Sequence, residues 1–155
     1  MKRFSTTVEI EAPPDRIWRT LRDVERWSQW TPSIISIRRL DPGPFAAGSR
    51  AIVRQPKLLP ARWLVTEVEE GRGFTWVTGG PGLLVTASHS IERAGSRCQV
   101  TLSLDFSGIF GPIVARLIRG LNARYLALEA QGLKKHTESL VLSGPPGPDR
   151  FGETR

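Results

Sequence analysis

Three side chains could carry acid–base or carbonyl chemistry in this sequence: His89, Tyr125 and Arg54. His89 shares its alternation phase with Val85, Ala87 and Ile91, which puts it on the apolar side of a strand. An imidazole there can act as a polar handle in a pocket or as a general acid or base, since imidazole exchanges a proton near neutral pH. The same position also suits a hydrogen-bonded histidine of the core or rim with no chemical role. Tyr125 stands in the apolar stripe of a long helical segment, where its hydroxyl can meet a ligand carbonyl or be satisfied locally while the ring packs. Arg54 is in phase with Ile52, which would turn a guanidinium inward to anchor a carboxylate or polarise a carbonyl. The opposite phase puts Ala51 and Val53 inside and leaves Arg54 in solvent.

Other catalytic constellations are absent from the sequence. It has no G-x-S-x-G elbow, no G-x-x-x-x-G-K-[ST] phosphate loop and no H-E-x-x-H. His89, His136 and the lone Cys98 form no recognisable zinc set, so neither a metal nor a cofactor is expected. Glu9, Glu11, Glu92 and Asp105 take the polar phases of their strands, so no inward pair of carboxylates supports a hydrolase. Gly79-Gly80-Pro81-Gly82 reads as a flexible turn beside a pocket mouth, because Pro81 removes an amide that a phosphate cradle would use.

The elements that must position these residues follow from periodicity. Residues 4–11 alternate as a half-buried strand; Pro13-Pro14-Asp15 then opens a short helix over about 15–22, and Asp23 can cap a second through Trp27. From 34 to 107 the period is two, with strands over about 34–40, 50–55, 62–69, 73–78, 84–93 and 98–107 separated by Gly- and Pro-rich turns. The inward phase of 50–55 and of 62–69 stays open: Trp63 and Val65 share a side with Glu67 and Glu69, whereas the other side offers Leu64 and Val68. Trp76 shares a side with Phe74, facing either a pocket or sheet packing, and Trp18, Trp27 and Trp30 read as core at the helix–sheet junction. Pro112 starts a long helix to about Leu140 with Val114, Leu117, Ile118, Leu121, Tyr125 and Leu128 as its apolar stripe. Gly120 and Gly132 each lower its intrinsic propensity by about 1 kcal/mol, so packing must hold it.

The chain's 155 residues fit one domain, expected over 1–142, with the Gly- and Pro-rich 143–155 as a disordered tail. Hydrophobic content of 39% and charged content of 24% exclude a disordered chain, a fibre or a membrane bundle. The longest uncharged stretch, 73–91, is broken by Gly79 to Gly82, so no membrane span is expected. Residues 1–11 show no signal peptide, and a single cysteine agrees with a reducing, cytoplasmic location. The net charge of +7 is scattered, which fits solvated faces better than a nucleic-acid footprint and leaves room for transient contact with an anionic membrane. Oligomeric state stays open between monomer and homodimer.

This order of strand, two short helices, antiparallel meander and long C-terminal helix is α+β, and the chain resembles the SRPBCC or START-like superfamily over about residues 2–140. The resemblance is carried by Val8-Glu9-Ile10-Glu11-Ala12-Pro13-Pro14-Asp15-Arg16-Ile17-Trp18, by Trp27 and Trp30-Thr31-Pro32-Ser33-Ile34, by the hairpin from Ile91 to Thr101, and by Phe106-Ser107-Gly108. It implies the helix-grip fold, a seven-stranded curved antiparallel sheet wrapped around the C-terminal helix, with a cavity between them for lipids, polyketides or other apolar ligands. The residues expected to line that cavity are Trp76, Val85, His89, Leu102, Leu104, Phe106, Leu117, Leu121 and Tyr125. Binding of a small hydrophobic or amphipathic ligand is the first expectation. The second, implied by the polyketide cyclase/dehydrase group, is an enzyme using His89 with Tyr125 or Arg54. The third is a docking module using its basic surface against a membrane or a partner.

Overall fold

Period-two alternation builds a seven-stranded antiparallel sheet in a computed structural model that describes residues 2–143. The strands are β1 (Lys2–Ile10), β2 (Ser36–Arg39), β3 (Arg50–Arg54), β4 (Ala61–Glu69), β5 (Gly73–Gly80), β6 (Leu83–Ala94) and β7 (Arg97–Ser107). Their order across the sheet is β1-β7-β6-β5-β4-β3-β2, so the meander from β2 to β7 is closed by the first strand pairing with the last. Between β1 and β2 lie helix α1 (Pro14–Arg22) and a 3-10 turn (Val24–Gln29); after β7 come α2 (Gly111–Leu117) and α3 (Arg119–Ser143). This is the expected α+β helix-grip arrangement, with a curved sheet gripping the C-terminal helix. Among the described residues no helix is long and apolar enough to cross a membrane. The expectation for the tail falls almost wholly on 144–155, outside the described residues.

Local sequence explains where α1 sits. Pro14 presets the first helical turn, Asp15 lies at its N-terminus and Arg19 and Arg22 at its C-terminus, which complements the helix dipole. Its buried face is Ile17, Trp18 and Leu21.

The two strands whose phase the sequence left open are settled by packing. In β3, Ala51 and Val53 are buried and Arg54 is exposed. In β4 the register shifts between Val65 and Glu67, so Val65 pairs with Trp76 but Val68, not Glu67, pairs with Phe74. This bulge puts Trp63, Val65 and Val68 on the inner face and both glutamates outside.

The C-terminal helix is not continuous from Pro112. It breaks at Ile118 (φ −108°, ψ 17°), next to Gly120, giving a short α2 and a long α3. The inward face carries Ala115, Asn122, Tyr125, Leu126, Ala130, Leu133 and Thr137, so Val114, Ile118 and Tyr125 of the expected line face the cavity while its Leu117 and Leu121 edge turns away. Leu117 is therefore 79% exposed and Leu121 is only half-buried.

Gly132 has a packing role. A Cβ built there would lie 2.0 Å from the Trp30 carbonyl oxygen, so α3 rests on the segment after the 3-10 turn through a backbone contact that only glycine permits. Gly120 faces open space. Gly132→Ala is expected to destabilise by about 1–3 kcal/mol, because helix and loop must separate. Gly120→Ala should instead gain up to about 1 kcal/mol from propensity. Thermal unfolding of the two variants should move in opposite directions.

A second tether links α3 to the end of β1. Glu138 Oε1 accepts from the Glu11 amide at 3.0 Å and from Lys134 Nζ at 2.6 Å, while Lys134 Nζ also donates to the Glu9 carbonyl at 2.8 Å. The Glu11 N–H, and after it the Lys134 ammonium, hold the Glu138 carboxyl below the usual range. A carboxyl lowered in the folded state contributes stability above its unfolded pKa of about 4.3, and that contribution is lost as pH falls through the lower folded value. Glu138→Gln should therefore lower the urea midpoint at neutral pH, with the gap to wild type closing in acid.

Candidate functional site

Between the inner face of β3–β7 and the helices lies a cavity of about 450 Å³. Strand alternation delivers Trp76 from β5, Val85, Ala87 and His89 from β6, and Leu102, Leu104 and Phe106 from β7. Helices α2 and α3, with the break between them, deliver Val114, Ile118, Asn122, Tyr125, Leu126 and Glu129, and the β3–β4 loop contributes Gln55, Lys57, Leu58 and Leu59 at the rim. Leu59 is 88% exposed and Lys57 adopts a left-handed φ of 64°, so this rim segment is held in a specific, outward conformation.

His89 sits against the aromatic wall and is 5% exposed. Its ring stacks on Phe74 with centroids 4.3 Å apart and meets Trp27 edge-on at 5.3 Å. Nδ1 lies 3.3 Å from the Phe74 carbonyl oxygen and Nε2 lies 3.3 Å from Glu129 Oε1. The Phe74 carbonyl can only accept, so this contact is a hydrogen bond in the form that carries a proton on Nδ1. Oε1 has no aligned hydrogen-bond partner, so the imidazole and carboxylate are within ion-pairing distance without a formed hydrogen bond. Gly73 sets the backbone here: a Cβ on it would lie 1.9 Å from the His89 carbonyl oxygen, so only glycine lets β5 approach β6 at this point.

Of the residues expected to line the cavity, Trp76, Val85, His89, Leu102, Leu104, Phe106 and Tyr125 do so. Leu117 and Leu121 do not, because they lie at the outer edge of the helix face that Val114, Ile118, Asn122 and Tyr125 present to the cavity. Arg54 is exposed on β3 and takes no part in the lining. Tyr125 lines the cavity with its ring, but its hydroxyl donates to the Pro56 carbonyl, fastening the rim loop to α3. The Gly79–Gly82 turn contributes nothing to this cavity. It borders a shallower cleft that also includes Arg50, Arg62 and Leu84, and the Gly82 carbonyl accepts from the Phe110 amide at 2.8 Å. Cys98 is buried, and burial pushes its thiol up, so it stays protonated and unreactive.

Sequence reasoning missed Glu129 and Asn122, the helix's polar contribution, and it placed Trp27 in the core without the cavity wall that this ring also forms. A signal existed for both helix residues. Glu129 is four residues after Tyr125 and four before Leu133, and Asn122 is four before Leu126, so they share the buried face. Among the described residues the cavity lining includes one carboxylate, Glu129.

Solved structures share this fold. An aromatase/cyclase, Zhui, from Streptomyces sp. R1128 superposes with a TM-score of 0.73 at 15% identity, over 90% of this chain and 95% of that one. A START superfamily protein from Mycobacterium smegmatis gives 0.68 at 21% identity, over 89% and 98%. A hypothetical protein from Helicobacter pylori gives 0.75 at 14% identity, over 88% of each chain. At such identities the likeness is one of fold. No curated protein sequence is similar enough to match. The family described as polyketide cyclase / dehydrase and lipid transport matches residues 1–138, nearly the whole of the described fold, and the chain belongs to that family.

Proposed function

We propose that this protein binds a small hydrophobic or amphipathic molecule in the cavity between sheet and C-terminal helix. The observation that carries the reading is the cavity of about 450 Å³ with mainly aliphatic and aromatic walls, a size in the range of small-molecule sites. Left dry, a void of that volume would cost on the order of 10 kcal/mol, as much as a domain's net stability. Water or ligand therefore fills it, and an apolar ligand exchanges poorly satisfied water for contact with Trp63, Trp76, Leu102 and Leu104. Calorimetric titration with acetylnaphthalene tests this. Saturable binding with a negative heat-capacity change supports it, and absence of binding by any apolar probe overturns it.

A second reading is favoured by one specific contact. Glu129 Oε1, 3.3 Å from His89 Nε2, makes an imidazole–carboxylate pair at the wall of an apolar cavity, an arrangement able to take a proton from a bound substrate and return it. In this cyclase or dehydratase-like reading, His89 moves the proton and the Glu129 charge balances the imidazolium that forms. Arg54 has no part, and Tyr125 can reach a substrate only by releasing Pro56. His89→Gln should then lose turnover while keeping ligand affinity, and unchanged turnover would overturn the reading.

Transient membrane contact, the third reading, draws on Leu59, Ile113 and Leu117, exposed apolar side chains on the rim loop and α2, with Arg116 and Arg119 among the neighbouring basic residues. Retention on anionic vesicles that falls steeply with salt would support it, and salt-independent absence of retention would overturn it.

A further inference from the structure

Two buried polar atoms of opposite character, on residues that line the cavity, make no hydrogen bond among the described residues: Asn122 Nδ2, a donor, and Glu129 Oε1, an acceptor whose one polar neighbour is His89 Nε2 at 3.3 Å. Folded proteins seldom leave such groups unpaired, because a buried donor or acceptor without a partner costs free energy. Both residues project from α3 onto the same cavity, seven residues apart, which is two helical turns or about 10 Å along the axis. They also mark different ends of the space. Asn122 is one turn from Tyr125, whose hydroxyl holds the rim loop, and Glu129 is beside His89, whose ring in turn meets Trp27. The same cavity is walled by the flat or apolar side chains of Trp63, Trp76, Leu102 and Leu126.

From this arrangement we infer that Asn122 and Glu129 are the specificity-determining residues of the cavity, selecting a rigid, flat ligand with a carbonyl-type acceptor at the rim end and a hydroxyl donor about 10 Å away at the His89 end. The inference rests on the ligand-binding reading above and adds the ligand's polar pattern to it. The Asn122 amide donates to the ligand carbonyl, the ligand hydroxyl donates to the Glu129 carboxylate beside His89, and each end supplies a hydrogen bond that the fold by itself does not make. A fatty chain with one polar head meets only one of these two needs, so the pair discriminates against it.

The test is calorimetric titration of wild type, Asn122→Leu and Glu129→Leu with a matched set of naphthalenes. The set is an acetylnaphthol with its hydroxyl and acetyl groups at opposite ends of the fused ring, the acetylnaphthalene lacking the hydroxyl, and the naphthol lacking the acetyl group. In wild type the acetylnaphthol is expected to bind about fivefold to tenfold more tightly than either singly substituted probe, the worth of one satisfied hydrogen bond. Asn122→Leu should erase the advantage of the acetyl group alone, and Glu129→Leu the advantage of the hydroxyl alone. Thermal unfolding of each variant confirms that the titrated protein is folded, and Asn122→Ala and Glu129→Ala, which also remove the donor and the acceptor, replace any variant that is not. Equal affinity of wild type for all three probes, or advantages that survive both substitutions, would overturn the inference and leave the ligand-binding reading standing. Failure of all three probes to bind would overturn both.

Discussion

Trp27→Ala is expected to lower the free energy of unfolding by about 3–5 kcal/mol, the usual cost of deleting a large buried aromatic. Trp27 is 1% exposed and lies at the centre of the aromatic cluster, with ring centroids 5.4 Å from Trp30, 6.1 Å from Phe74, 5.7 Å from Trp76 and 5.3 Å from His89. Its indole N–H donates to the Leu21 carbonyl at 2.9 Å and so ties the 3-10 turn to the end of α1. Truncation removes the packing, strands that carbonyl and extends the cavity into the core, and no neighbouring side chain is free to fill the gap. Urea denaturation read by far-ultraviolet circular dichroism should show the loss as a lower midpoint with an unchanged slope. A loss below about 1 kcal/mol, an ordinary surface-substitution effect, would mean that the cluster is not the structural support of the site.

Ala87→Phe has the opposite signature. Ala87 is a small inward residue on β6, paired with Trp76 on one side and Leu104 on the other, in the middle of the sheet wall of the cavity. A benzyl group there enters space that the fold leaves unfilled, so stability should hold or rise. It takes the place of ligand contact surface. Displacing roughly 100 Å² of apolar contact costs about 2.5 kcal/mol, close to a hundredfold in Kd. Calorimetric titration of wild type and variant with acetylnaphthalene, alongside thermal unfolding, separates the two effects. Equal affinity in a folded variant would mean that the ligand does not use this space.

Much of the fold was legible in the sequence because each element depends on local pattern. The alternation of β1, the Pro13-Pro14-Asp15 helix start and the Gly-punctuated meander each specify an element without reference to the rest of the chain. Site residues on regular strands were legible for the same reason: Val85 and His89 follow from one phase, and Leu102, Leu104 and Phe106 from another. What failed depends on tertiary choices. The β4 side chains could not be assigned by strict alternation, because the bulge between Val65 and Glu67 changes phase within the strand and reconciles an apparent conflict between Trp63 and the two glutamates. On the long helix, large apolar side chains pointed to Leu117 and Leu121, whereas the buried stripe includes Asn122, Glu129 and Thr137. A helix that faces a cavity can carry polar groups inward, so counting hydrophobic residues selects the wrong edge of its face. The close approach of Gly132 to the Trp30 carbonyl joins segments about a hundred residues apart and has no local signature.

The His89 and Glu129 pair shows the same division. Strand phase put the imidazole inside, and only the packing of α3 across the sheet brings a carboxylate to it. Whether the cavity only holds its ligand or also moves a proton on it therefore turns on a contact between two elements, and both readings share one requirement, occupancy of the cavity.

Native mass spectrometry tests that requirement most directly, applied to freshly purified protein, to its denatured form with an organic extract, and to the same protein with excess acetylnaphthalene. The expected result is a discrete noncovalent added mass, one equivalent per chain, that disappears on denaturation or forms on addition of the probe, and that Ala87→Phe does not retain. A bare wild-type mass under both conditions, with the protein folded, would contradict it.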